Sequence, residues 1–142
     1  MLRFKYQFLE LEFYDWEQTS SLIRTIFIDL SAYIWTKYKK DIWATCFHRT
    51  EEEQKEQYRG EIEADPNFKV PYSPHLVDPQ CEAGDLSIVT SHFTEEELLE
   101  VIAYVSKRFP RKDGLKTIFT HKTKSGVEHL HIQVQKNSND FA

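Results

Sequence analysis

Residues 129–135, His-Leu-His-Ile-Gln-Val-Gln, alternate strictly between polar and apolar side chains. A period of two has one economical backbone solution, an extended strand. It places Leu130, Ile132 and Val134 on one face and His129, His131, Gln133 and Gln135 on the other. Such a strand needs a neighbour along its edge and a core beneath its apolar face. LKTIFTH, residues 115–121, supplies the neighbour through a turn around Lys124, Ser125 and Gly126, so the C-terminal part of the chain reads as a β-hairpin.

The core has to come from upstream. Leu22, Ile23, Ile26, Phe27, Leu30, Ile34 and Tyr38 recur at spacings of three and four, which predicts a helix within 15–39 started by Thr19, Ser20 or Ser21. DIWATCF (41–47) and DLSIVT (85–90) are short, apolar and β-branched, and read as strands. Thr50 with Glu53 and Thr94 with Glu97 have the capping-box spacing, so a short helix follows the first strand and a longer one follows the second. The longer one carries Leu98, Ile102, Val105 and Phe109 and stops before Pro110. Between them, residues 60–84 hold Gly60, Pro66, Pro71, Pro74, Pro79 and Gly84 without periodicity, which predicts a long loop of the kind that carries function. The order is helix, strand, helix, loop, strand, helix and hairpin, that is, one α+β domain over residues 1–142, with 136–142 as a frayed tail.

Composition narrows the function. The chain has 142 residues, 40% of them hydrophobic, enough for a packed core. A net charge of −5 and the lack of a long basic run argue against a broad nucleic-acid footprint. The N-terminus has no unbroken apolar segment or small-residue cleavage site, and no stretch reaches the length of a membrane span. Two cysteines, Cys46 and Cys81, are too few for a disulfide framework. A chain made in the cytoplasm, with neither membrane nor nucleic acid as partner, is the expectation; the oligomeric state is left open.

Several side chains have the chemistry of a site. Histidine is a leading zinc ligand, yet His129 and His131 also suit the polar face of a half-buried strand, and a metal needs further ligands from other segments. PYSPHLVDPQCEAGD offers His75 and Asp85, the latter at the mouth of a strand; alternatively Asp85 caps a turn and His75 is solvated. Arg49, between a strand and a helix, either clamps a carboxylate or pairs with the glutamates that follow it. Glu128 stands three residues before His131. A strand would aim the two at opposite faces, so a shared site requires Glu128 to lie in the turn.

Taken together, IWATCFHRTEEEQKEQY, SPHLVDPQCEAGDLSI and EHLHIQV resemble, in order, three conserved segments of the D-alanyl-D-alanine metallopeptidases. These are zinc carboxypeptidases and endopeptidases related to the hedgehog fold. The likeness covers roughly residues 20–136 and is greatest to small phage and prophage versions. It implies a mainly antiparallel sheet with flanking helices, His75, Asp85 and His131 as zinc ligands, Glu128 as general base, Arg49 as the group that orients substrate or stabilises the oxyanion, and His129 as a supporting neighbour. The implied substrate is peptidoglycan or a cell-wall precursor peptide, cut beside a D-amino acid and reached on lysis or from a virion. In the family six residues separate the first histidine from the aspartate, against nine between His75 and Asp85, which keeps Glu82 and Asp78 as alternative acidic ligands. Two other readings compete: a non-catalytic phage structural or binding relative, and a single-strand DNA nickase of the His-hydrophobic-His type with His121 as a third ligand.

Overall fold

The computed structural model describes residues 1–77, 80–123 and 125–134. The chain opens with strand β1 (Leu2–Phe4) and helix α1 (Gln7–Phe13), neither of which has a periodic signature. Asp15 then accepts hydrogen bonds from the amides of Glu17 and Gln18, a local turn that keeps the next helix from starting there. That helix, α2, spans Ser21–Tyr38, with the Ser20 hydroxyl accepting from the amides of Leu22 and Ile23. Strand β2 (Ile42–Cys46) follows, and then α3 (Glu51–Gln57), whose Thr50–Glu53 capping box forms in full. Helix α4 (Arg59–Ala64) takes up the start of the expected loop. It has no buried residue, which is why no apolar stripe announces it.

Strand β3 is Ala83–Ser87. It begins two residues before the expected 85–90 segment and ends early because the Ser87 hydroxyl captures the amide of Thr90 in a turn. Helix α5 (Glu95–Arg108) starts on the Thr94–Glu97 capping box and buries Val101 and Val105 at the centre of its inner face. The hairpin follows as β4 (Ile118–Lys122) and β5 (Glu128–Gln133). Positions 78, 79, 124 and 135–142 lie outside the described residues, and with them the expectations for Asp78, Lys124, Gln135 and the tail. No helix among the described residues is long and apolar enough to cross a membrane.

The five strands form one mixed α+β sheet in the order β1-β2-β3-β5-β4, antiparallel except for the β1–β2 pair. One face is apolar: Ala44, Leu86, Leu130, Ile132 and Ile118 are fully buried there with Phe13, Ile23, Ile26, Phe27, Leu30, Val101 and Val105 from the helices. Each of these larger side chains stabilises the fold by roughly 1.5–3 kcal/mol through burial. Gly84 sits where an added Cβ would come within 2.6 Å of Phe27 and 2.7 Å of Phe47. Its missing side chain lets α2 lie close against β3. The opposite face of the sheet carries the polar residues.

Candidate metal centre

Asp85 is the hub of that polar face. Paired residues in an antiparallel ladder share a face, and Asp85 stands opposite His131, with Ser87 opposite His129. The same register continues into β4, where His121 faces His129 and Phe119 faces His131. Three imidazoles surround the Asp85 carboxylate. His131 Nδ1 lies 2.9 Å from Oδ1, and His75 Nε2 and His129 Nε2 each lie 3.3 Å from Oδ2. His75, Asp85 and His131 are only 2%, 6% and 8% exposed.

His75 arrives from the segment between α4 and β3, and the longer His75–Asp85 spacing is accommodated by a loop tied at its base. The amide of Glu82 donates to the carbonyl of Pro74 at 2.8 Å, so the residues flanking the 75–81 segment lie side by side. The amide of Arg49 donates to the carbonyl of His75 at 2.9 Å, and the Ser73 hydroxyl accepts from the amide of His75 at 3.2 Å. Cys81 is held on the far side by an exchange of backbone hydrogen bonds with Gln18 and Ser20. Glu82 is buried, and Asp85 is the acidic group whose carboxylate meets the histidines.

The outer nitrogens of two rings are also engaged. His75 Nδ1 is 2.7 Å from the carbonyl oxygen of Phe47, which only accepts, so this nitrogen carries a proton. His131 Nε2 is 2.8 Å from Gln133 Oε1 and donates in the same way. Each ring therefore turns its second nitrogen toward Asp85 either as another N–H or as a bare lone pair. Carbonyl or carboxylate anchoring of the distal N–H is the usual support of a metal-bound histidine.

Charge follows geometry. Burial alone would push the Asp85 carboxyl upward, but the His75 charge and the hydrogen bonds from His129, His131 and His75 outweigh it and hold the group well below its ordinary 3.8. For His75 burial favours the neutral ring. The Asp85 charge and the adjacent Cys46 overcome that and lift it well above 6.5. His121, at the exposed end of the cluster, goes the other way: burial and the neighbouring His129 and His131 lower it.

The expected trio His75, Asp85 and His131 thus converges, with the two rings on different oxygens of one carboxylate. A more compact group is Cys46, His75 and Asp85, whose ligand atoms all lie within 4.8 Å of one another. Such a group can hold a metal ion. The sequence reading missed Cys46, and the strand pattern offered no signal for it. An alternation that buries Ile42 and Ala44 sends Cys46 to the core as well.

These residues floor a cleft of about 830 Å³, bordered by Arg49, His121, Lys122 and Glu128. Arg49 does not pair with the glutamates of α3. Its Nη1 donates to Gln54 Oε1 at 2.9 Å and Ser73 Oγ at 3.2 Å, while its Nε and Nη2 donors have no acceptor among the described residues. Glu128 is not in the turn: it opens β5 opposite Lys122, exposed, at the rim of the cleft. The pleat there favours the face away from His129 and His131. No family model, curated protein or solved structure matches the chain.

Proposed function

We propose that this protein is a zinc-dependent peptidase of hedgehog-like fold that hydrolyses cell-wall peptides next to a D-amino acid. The observation that carries the reading is the double anchoring of His75 and His131. Both fix their outer N–H on a carbonyl oxygen and turn their inner nitrogen to one buried carboxylate. Two imidazoles and a single carboxylate suit zinc better than the all-oxygen sites of magnesium or calcium. His75 Nε2, Asp85 and His131 Nδ1 would hold it.

A zinc ion held there would supply Lewis acidity, enough to polarise a carbonyl and bring the pKa of water down toward about 7. The remaining work belongs to the chain. Arg49 is pinned through Nη1 by Gln54 and Ser73, so its other donors are pre-positioned for a substrate carboxylate or a developing oxyanion. Glu128, although it opens the strand rather than lying in the turn, still lines the cleft with His131 and is the carboxylate there that would take a proton from the attacking water and return it to the leaving amine. The cleft sequesters the peptide above this floor.

A second reading keeps the ion and drops the chemistry. The exposure of Glu128, and a pleat that favours the opposite face, support a non-catalytic zinc-binding module of the same fold. Metal analysis of the purified chain, followed by digestion of purified muropeptides, separates the two. One zinc per chain with cleavage supports the peptidase. One zinc without cleavage supports the binding module. No zinc uptake at neutral pH, and no thermal stabilisation on adding it, refutes both.

A further inference from the structure

The unabsorbed feature of the cleft is Cys46. Strand β2 buries Ile42 and Ala44 against the helices, and Ala44 stands opposite Leu86. Unbroken register would then place Thr45 opposite Asp85 and send Cys46 to the core face beside Gly84. Instead the register shifts between Ala44 and Cys46, and Cys46 itself stands opposite Asp85. The shift is a β-bulge, a device that re-aims a side chain. It brings the sulfur to the polar face, while Phe47, the next residue, enters the core at 0% exposure. The Cys46 Sγ lies 3.8 Å from His75 Nδ1 and lines the cleft. Cys81, by contrast, is buried and has its sulfur on the carbonyls of Phe47 and Ala83.

We propose that Cys46 is a fourth protein ligand, so that with His75, Asp85 and His131 it closes the zinc centre and holds the enzyme latent. The inference rests on the zinc reading above. A catalytic zinc keeps one of four positions for water, whereas four protein ligands make a closed site. On binding, the thiol gives its proton to solvent and the thiolate sulfur takes the remaining position. Tetrahedral zinc sets its donors roughly 3.5 Å apart, and the ligand atoms of Cys46, His75 and Asp85 already lie within 4.8 Å of one another, with His131 on the other oxygen of the same carboxylate. Hydrolysis then requires the sulfur to leave, and removing it opens the centre.

Cobalt(II) in place of zinc reports the sulfur directly. The full chain loaded with cobalt shows an intense near-ultraviolet sulfur-to-cobalt charge-transfer band, which Cys46→Ala abolishes although Cys81 is still present. The same variant binds zinc at least about tenfold more weakly, an effect that even outer partners of metal ligands reach, and it hydrolyses wall peptide faster than the unaltered chain. X-ray absorption at the zinc edge of the unaltered protein, which needs no variant, finds one sulfur in the coordination shell. Cobalt or zinc bound with only nitrogen and oxygen neighbours overturns the proposal and leaves the zinc reading standing. An unchanged or slower rate in Cys46→Ala overturns latency. Failure to take up either metal brings down the zinc reading itself.

Discussion

Replacing Asp85 with Asn tests the hub at its most sensitive point. In the metal-free protein the His75–Asp85 pair contributes stability through both partners, and the signs fix where. The His75 pKa is raised on folding, so its contribution is complete below its ordinary 6.5 and is lost as pH rises through the higher folded value. The Asp85 pKa is depressed, so its contribution is present above the ordinary 3.8 and is lost as pH falls toward the folded value. The pair therefore acts fully between about pH 3.8 and 6.5. Asn keeps the shape but removes the charge, leaving His75, at 2% exposure, with burial and no counter-ion. Breaking a buried pair by removing one partner costs about 3–5 kcal/mol. We expect a deficit of that size for Asp85→Asn inside the window, narrowing at alkaline pH, where His75 in the parent has also lost its proton. Urea unfolding in the presence of a chelator, run as a pH series on parent and variant, measures it. A deficit below about 1 kcal/mol, or one that stays level from acid to alkaline pH, would refute the assignment of Asp85 as the counter-charge.

Glu128→Gln should leave zinc stoichiometry intact and lower the rate of muropeptide cleavage by about 10²–10⁴-fold, the usual weight of a general base; undiminished cleavage removes Glu128 from the mechanism. Arg49→Lys loses the planar fork held by Gln54 and Ser73, so cleavage should fall by roughly 10²–10³-fold, as for loss of an oxyanion donor. Kinetics at parental zinc occupancy are the check, and a parental rate ends that role. Gly84→Ala forces a methyl against Phe27 and Phe47 and should destabilise by about 1–3 kcal/mol in urea, with weaker zinc binding because Asp85 is the next residue. A variant as stable as its parent would mean that the helix layer yields at that point.

What the sequence displayed was whatever repeats within a few residues. The two capping boxes and the Ile23–Ile34 stripe form where they were expected, and the alternation of the last strand holds over residues 129–133, because each follows from a local pattern of spacing. The pairing of His131 with Asp85 was foreseeable in kind, because a polar strand face needs polar neighbours. Elements without an internal period stayed hidden. β1 has three residues, α4 buries nothing, and both depend on their surroundings rather than on a pattern of their own. The phase of β2 was hidden for a different reason. Alternation is blind to an extra residue, and the bulge after Ala44 reverses the faces of Cys46 and Phe47 while leaving the composition of the strand unchanged. The closure of His75 on Asp85 depends on contacts such as Glu82 to Pro74, which no spacing rule for an ungapped motif can supply.

Asp85 is a hydrogen-bond partner of the imidazoles in the metal-free chain and, on the zinc reading, a ligand beside them. His75 and His131 each make two ring hydrogen bonds, the outer ones to Phe47 and Gln133 and the inner ones to Asp85. On the zinc reading the ion takes the place between the inner nitrogens and Asp85, while the outer anchors on Phe47 and Gln133 stay as they are. Proton release accompanies uptake, so zinc affinity must rise with pH until the His75 ring is neutral in the metal-free chain. On that reading the ion inherits the two inner nitrogens that His75 and His131 already turn to Asp85 in the metal-free chain.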